Sequence, residues 1–440
     1  MFEVPKKKFL LRSSSIHLTS RTMVVSITNV KNTGCIDSTN KSKKIHFLDD
    51  SGEGTRSEDA NEPHKDDNES LSGFLVRSLN AFHEKSHLTY RTIPNVSLQE
   101  IKLKGKLGEG GFAIVYAAEY NGNSCAFKSL QPDVVSGAAD TLKIAASDLC
   151  KEAELLSAMN HPNIISIFAK GTDVNNVKNN FIVIERLEDT LEHRMKVWRE
   201  QDQKLKSNLK ERLRLLHDRL RICLDVCHAL QHLHEMNVLY RDLKAENLGF
   251  DKNGKIKLFD FGLAKELKDE AKATGEKYSL SGNTGSLTYM APEVAKGWQY
   301  DKMVDVYSFG ILLWEIAALQ HAFPKCITRE DMHPVWSGDK RPPMADWWPV
   351  ELQWLIKKCW SYFAKSRPDF TVIIETLKEI LEDNTKEEEE SRAIKSFRFG
   401  SRRSQKISLG SQSSEEDRRI TLRPRDLPEE KPRKKFLGLF

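Results

Sequence analysis

The stretch Y-R-D-L-K-A-E-N at Tyr240–Asn247, followed by D-F-G at Asp260–Gly262, decides how this chain is read. Its polar residues suit the movement of a phosphoryl group. Asp242 can accept a hydrogen bond from, or the proton of, an attacking hydroxyl, and Lys244 can neutralise a terminal phosphate. Asn247 and Asp260 offer the hard oxygen donors that Mg²⁺ requires. Some thirty residues beyond D-F-G stands A-P-E, Ala291–Glu293. Taken singly, each of these has a bland reading as an Asp in a turn, an Asn in a cap or a Gly in a hairpin. Their order and spacing are what carry the argument.

Upstream of that stretch, G-E-G-G-F-A-I-V begins at Gly108 directly after a β-like run, and its glycines let backbone approach phosphate oxygens with no Cβ in the way. Lys128 in C-A-F-K stands thirteen residues past Val115, on a strand from which an ammonium can reach the α- and β-phosphates. Glu152 lies on a helical pattern from about Thr141 to Met159, whose last turn precedes N-H-P-N-I at Asn160–Ile164. Its carboxylate can hold Lys128 through an ion pair. Glu154 is the competing residue, but two positions along a helix point to a different side. Glu152 is therefore the expected partner.

Around these motifs, β-like runs at Ile101–Leu107, Ala113–Glu119, Ser124–Leu130, Ile164–Ala169 and Phe181–Leu187 flank the one helical pattern, which implies a small sheet-based lobe. After Thr190, apolar residues recur at three- and four-residue spacing through Leu213–Leu233 and Asp305–Leu319, which implies a larger helical lobe. The charge-rich stretch Glu192–Asp218 reads as an exposed extension between two helices, with a partner-binding helix as the alternative. Residues 1–95, with Ser/Thr/Asn/Lys clusters and an acidic patch at Asp49–Asn68, read as disordered, as does the charged, Ser-rich tail 385–440. Ser404 and Ser413 in that tail are candidate phosphoacceptors. No internal repeat occurs.

Composition narrows the function classes. An apolar fraction of 39% beside a charged fraction of 30% over 440 residues means that part of the length packs into no core. A net charge of +5 is small against 68 basic and 63 acidic residues, so no global field argues for nucleic acid or membrane binding. Seven cysteines with no C-x-x-C pair look like the reduced thiols of an intracellular protein, cytoplasmic or nuclear. Cys223 and Cys227 share a helical face, where small buried residues are the expected reading and metal ligation the alternative. No apolar stretch approaches the roughly 18 residues of a transmembrane span. The basic, acid-poor Met1–Val25 is read as part of the disordered region, with a transit peptide as the alternative.

Residues 97 to about 382 resemble the eukaryotic protein kinase domain, on the motifs just quoted. The resemblance implies an α+β, bilobal fold: a small β-sheet N-lobe with one helix, 97–187, and a larger, mainly helical C-lobe, 190–382. It implies ATP and Mg²⁺ as cofactors, with Leu107, Gly108, Gly110, Val115, Ala126 and Lys128 around the nucleotide. Ile184 would lie at the back of that pocket, and Glu185 to Leu187 would form the hinge segment facing adenine. Asp242, Lys244 and Asn247 would be catalytic, Asn247 and Asp260 metal-binding, and Glu152 the ion-pair partner of Lys128. Structural roles are implied for Glu293, paired with Arg367, and for Asp305, anchoring the catalytic-loop backbone.

The same resemblance implies a serine/threonine protein kinase that transfers the ATP γ-phosphoryl group to hydroxyls of protein substrates. Lys244 two residues after Asp242, and Ser286 where the family has a hydroxyl that bonds the Asp and Lys, point to that type. Cys359-Trp360 and G-S-L-T-Y-M-A-P-E look most like the tyrosine-kinase-like group. Arg241 is implied to bind a phosphate on the activation loop, placed there by an upstream kinase or by autophosphorylation, with Ser281 or Thr284 as the expected acceptor. Two departures stand out: Tyr240 replaces the usual His and is implied to pack on Phe261, and Ala113 takes the third glycine position. The alternative is a pseudokinase scaffold. The complete set Lys128, Glu152, Asp242, Lys244, Asn247 and Asp260 argues against it.

Overall fold

A computed structural model describes residues 70–84, 86–173, 176, 179–205, 207–267 and 285–382, and the backbone of two short antiparallel strands, β1 (His17–Thr19) and β2 (Thr22–Val24). The first described helix is α1 (Leu71–Glu84). Strands β3 (Lys102–Gly110), β4 (Ala113–Tyr120), β5 (Asn123–Leu130), β6 (Ile167–Gly171) and β7 (Phe181–Glu185) form one antiparallel sheet in the order β3-β4-β5-β7-β6. Side chains alternate across this sheet with period two. Cys125, Phe127, Phe181 and Val183 pack on one face with Ile101, while Ala126, Ile182 and Ile184 on the other join the main core. A short helix, α2 (Pro132–Ser136), leads into α3 (Ala139–Ala158), which buries Leu142, Ala145, Ala146, Leu149, Ala153 and Leu156 at helical spacing.

The larger lobe starts with β8 (Asp189–Thr190), α4 (Leu191–Lys204) and α5 (Leu209–Glu235). The charge-rich stretch expected to be an exposed extension is instead α4 and the first turns of α5. Its charges are met along and between those helices: Lys196 with Glu192, Arg214 with Glu211, and Arg212 with Asp202. Short strands follow, β9 (Val238–Leu239), β10 (Leu248–Phe250), β11 (Ile256–Leu258) and β12 (Lys265–Glu266), with β10 pairing both β11 and β8 and with β12 pairing β9. Helices α6 (Pro292–Ala295), α7 (Met303–Ala318), α8 (Arg329–Trp336), α9 (Val350–Cys359) and α10 (370–382) complete the lobe. α7 is buried on every side, and a side chain added at Gly310 would place its Cβ 2.7 Å from Cβ of Cys359 at the end of α9. Cys223 and Cys227 are fully buried on α5, and no His/Cys/Asp/Glu group among the described residues is placed to hold a metal ion. No described helix is long and apolar enough to cross a membrane.

Two further expectations need correction. Residues 71–95 are not without structure: α1 packs along α3, burying Leu75, and the segment after it runs beside β6. Its apolar residues cover α3 instead of forming a core of their own, so their small number misleads. The strand expected to begin at Ile164 begins at Ile167, because Ile164 makes an isolated bridge to Leu258. The tail beyond residue 382, with Ser404 and Ser413, lies outside the described residues.

Candidate active site

Strand register gathers the expected nucleotide-facing residues on one surface. Val115 lies opposite Lys128, and Lys128 opposite Ile182; Ala117 lies opposite Ala126, and Ala126 opposite Ile184. Directly paired residues of an antiparallel sheet project to the same side, so Val115, Ala126, Lys128 and Ile184 share a face. Gly108 pairs with Val115, which puts the glycine-rich run inside the β3–β4 hairpin and not after the end of a strand. Leu107 and Gly110 are in β3 as well, and the hairpin turns at Gly111, whose φ of +54° favours glycine. At the end of β7 the Glu185 carboxylate turns to Lys257, 3.1 Å away. Leu187 packs on Gly249, where any Cβ would come within 2.7 Å of it.

Below this face, Lys128 Nζ lies 2.8 and 2.7 Å from the two Glu152 oxygens and 3.0 Å from Asp260 Oδ1. Burial works against the Lys128 ammonium, but the Glu152 and Asp260 carboxylates outweigh it and hold the group above its ordinary pKa. The Lys128 charge in turn holds the Asp260 carboxyl below its usual range, against the effect of burial. Phe261 N donates to Glu152 Oε1 at 3.3 Å, which ties D-F-G to the same pair. Glu154 faces elsewhere and pairs with Lys170. Asp260 adopts a φ of +63°, a strained conformation for a residue with a side chain.

The loop from Tyr240 to Asn247 is held from beneath. Asp305 accepts from Tyr240 N at 3.0 Å and from Arg241 N at 2.8 Å, and its Oδ2 lies 2.9 Å from His234 Nε2. Tyr240 stacks edge-on against Phe261, with ring centroids 5.3 Å apart, and its hydroxyl donates to Phe259 O. Burial drives that phenol well above its ordinary pKa, so it stays protonated and structural. Asp242 is surrounded by donors. Lys244 Nζ and Asn247 Nδ2 reach its Oδ2 at 2.7 and 2.8 Å, while Ser286 N and Oγ reach its Oδ1 at 3.2 and 3.1 Å. Lys244 Nζ also donates to Ser286 Oγ at 3.1 Å. Gly285 brings this serine in at a φ of +98°, where a Cβ would meet Arg241 O at 2.5 Å. Arg241 Nε donates to Leu263 O at 2.7 Å. Farther out, Arg367 forms a two-pronged ion pair with Glu293.

The structure thus brings together Lys128, Glu152, Asp242, Lys244, Asn247, Asp260 and Ser286. Ser281 and Thr284 lie outside the described residues. Missed from the sequence was the segment that packs on α3 through Leu75 and Ser78 on α1 and Arg91 after it, and that bonds Glu266 of β12 through Ser86. A signal was present in Leu71, Phe74, Leu75, Ser78 and Phe82, which repeat at three- and four-residue steps inside a polar stretch.

Residues 101–377 match the family described as protein tyrosine and serine/threonine kinase. A probable serine/threonine-protein kinase of Dictyostelium discoideum is 32% identical over 65% of this chain and 28% of its own length. The dual specificity protein kinase shkE of the same organism is 30% identical over 66% of this chain and 38% of its own. The probable serine/threonine-protein kinase SIS8 of Arabidopsis thaliana is 30% identical over 64% of this chain and 25% of its own. The chain therefore spans well under half the length of these relatives.

Proposed function

Because this chain belongs to the protein tyrosine and serine/threonine kinase family, we propose that it transfers the γ-phosphoryl group of ATP to serine and threonine hydroxyls of protein substrates. One observation carries this reading. Ser286 Oγ stands 3.1 Å from Asp242 Oδ1 and 3.1 Å from Lys244 Nζ, so a hydroxyl at this point meets a carboxylate that takes its hydrogen and an ammonium beside its oxygen. An acceptor hydroxyl needs the same two neighbours.

The donor set fits Mg²⁺. Asp260 is kept ionised by Lys128, and Asn247 gives its Nδ2 to Asp242, so that its amide oxygen remains as a hard ligand. When bound with the ion, ATP supplies a phosphoryl group whose bond to the leaving oxygen breaks as the bond to the acceptor oxygen forms. Lys128 orients the α- and β-phosphates and is itself fixed by Glu152. Asn247 and Lys244 hold the Asp242 carboxylate in one orientation, and Asp242 aims the acceptor and receives its proton. Ile184 to Leu187, Ala126, Val115 and Leu107 would hold the base.

The test uses the full chain with Mg²⁺, ATP and degenerate peptides that carry Ser, Thr or Tyr acceptors. Transfer to Ser and Thr is expected, and Asp242→Asn should lower its rate by about two to four orders of magnitude with nucleotide affinity nearly intact. Near-normal turnover in that variant would remove Asp242 from the mechanism. Several relatives are named dual specificity kinases, so equal labelling of Tyr peptides would widen the acceptor class. Control by a phosphate on Ser281 or Thr284, bound near Arg241, is part of the same proposal. Full activity in the Ser281→Ala, Thr284→Ala double variant would end it.

A further inference from the structure

We propose that residues 70–84 and 86–91 form a clamp that positions the Lys128–Glu152 pair, with Arg91 as the positioning residue. This rests on the kinase reading for its effect on rate, though not for its effect on helix α3. Every clamp residue precedes the region 101–377 that matches the family.

The helix that carries Glu152 ends with carbonyls that have no partner within the helix. Arg91 takes Ser157 O, the carbonyl of the cap residue Met159, and a share of Leu156 O, which also accepts from Met159 N at 3.2 Å. Its Nε lies 3.0 Å from Ser157 O, and its Nη2 lies 2.7 Å from Met159 O and 3.3 Å from Leu156 O. Its own backbone N–H also donates to Ser157 O, at 3.1 Å. A cation at a helix C-terminus is favourable, and a planar fork fixes direction as well as distance. At the middle of α3, Ser147 Oγ lies 2.8 Å from Ser78 Oγ of α1, the helix whose Leu75 is 1% exposed. Held at both points, α3 cannot swing Glu152 away from Lys128 without breaking one of them.

The same segment also reaches Asp260, the other carboxylate on Lys128, through the chain that follows it. Ser86 Oγ donates to Glu266 Oε2 at 2.5 Å, and His87 N to Glu266 Oε1 at 2.7 Å. Glu266 belongs to β12, six residues past Asp260 and paired with β9 of the larger lobe. Beyond Arg91 the segment is fastened to the small lobe, with Val96 N donating to Lys170 O and Lys170 N to Pro94 O, both at 2.9 Å. One segment outside the matched region therefore touches the helix of Glu152, the strand after Asp260 and the edge of the sheet. Its docking biases the arrangement in which all three charged groups meet.

The experiment compares the full chain with Arg91→Ala, Arg91→Lys and Glu266→Ala, and with Arg91→Ala carrying Ser78→Cys and Ser147→Cys. It reads kcat and KM, thermal midpoint, and backbone hydrogen exchange in residues 139–158. Arg91→Ala should speed exchange in α3 and lower kcat on the order of tenfold while the peptide KM holds. Arg91→Lys should recover part of the loss. Oxidising the cysteine pair should bring both exchange and kcat back, which a purely stabilising Arg91 would not require. The proposal is overturned if Arg91→Ala leaves α3 exchange and kcat at the parental values, or if kcat falls only in proportion to the folded fraction. Should Arg91→Ala fail to fold, Glu266→Ala decides: a severalfold lower kcat supports the clamp, and an unchanged one overturns it. A parent chain that transfers no phosphate would refute the kinase reading, and exchange in α3 would still test the clamp.

Discussion

Two buried carboxylates, Glu152 in the small lobe and Glu293 in the large one, each meet one long cation, and the two pairs are built differently. Arg367 meets Glu293 with two prongs at 2.6 and 2.9 Å and gives its remaining directions to Ser361 O, Met303 O and Tyr362 O. A guanidinium used this fully has no direction left for a visitor. Lys128 has one nitrogen, divided between Glu152 and Asp260. An ammonium has no fixed fork and can trade carboxylate for phosphate oxygens. Arginine serves where the contact is permanent, and lysine where it must be exchanged.

The comparison is tested hardest by removing one partner from each pair. Glu293→Ala leaves a guanidinium buried that cannot shed its proton, and should cost about 3–5 kcal/mol of stability by denaturant titration. Its rate per folded molecule should stay within about twofold of the parent; a loss below about 1 kcal/mol would break the contrast. Lys128→Met should lower transfer by about two to three orders of magnitude in single-turnover assays. Its stability should change far less than that of Glu293→Ala. Burial already pushes the Glu152 carboxyl up, so without Lys128 it can take a proton and sit neutral. Equal destabilisation by the two substitutions would mean that the pairs are alike after all.

Smaller changes sharpen the same point. Arg367→Lys keeps the charge, loses the fork and strands several carbonyls, for an expected loss of about 2 kcal/mol in the same titration. Asp148, one turn before Glu152, is a carboxylate with no ion pair among the described residues. Burial lifts its pKa from 3.8 to about 6. The folded state thus binds this proton more tightly than the unfolded chain, so its contribution is whole below about pH 4 and is lost as pH rises through about 6. Asp148→Asn should therefore exceed the parent in stability at pH 7 and match it below about pH 4, as denaturation midpoints across that range will show.

The site was legible in the sequence where its residues are close along the chain or fixed by helix periodicity. Asp242, Lys244 and Asn247 share one short loop, and Glu152 could be told from Glu154 because two steps along a helix change its face. The bilobal α+β arrangement followed from strand-like runs giving way to helical spacing. What stayed hidden depends on contacts with distant chain. Leu75 has no core of its own and is buried where α1 packs along α3, and the partners of Arg91 are backbone carbonyls, which no side-chain pattern announces. The direction of the Glu185 carboxylate was equally hidden, since Lys257 lies more than seventy residues away.

α7 carries a consequence for how the protein is made. Every residue from Val304 to Ala317 is buried, largely beneath α9 and α5, with Gly310 pressed against Cys359. α5 leaves the ribosome before α7, but α9 leaves only after some thirty further residues have been added, at about 5–20 residues per second. For those seconds the face of this apolar rod that α9 will take has nothing to cover it. A chain stopped before Cys359 would keep it on display, as an aggregation-prone client for chaperones.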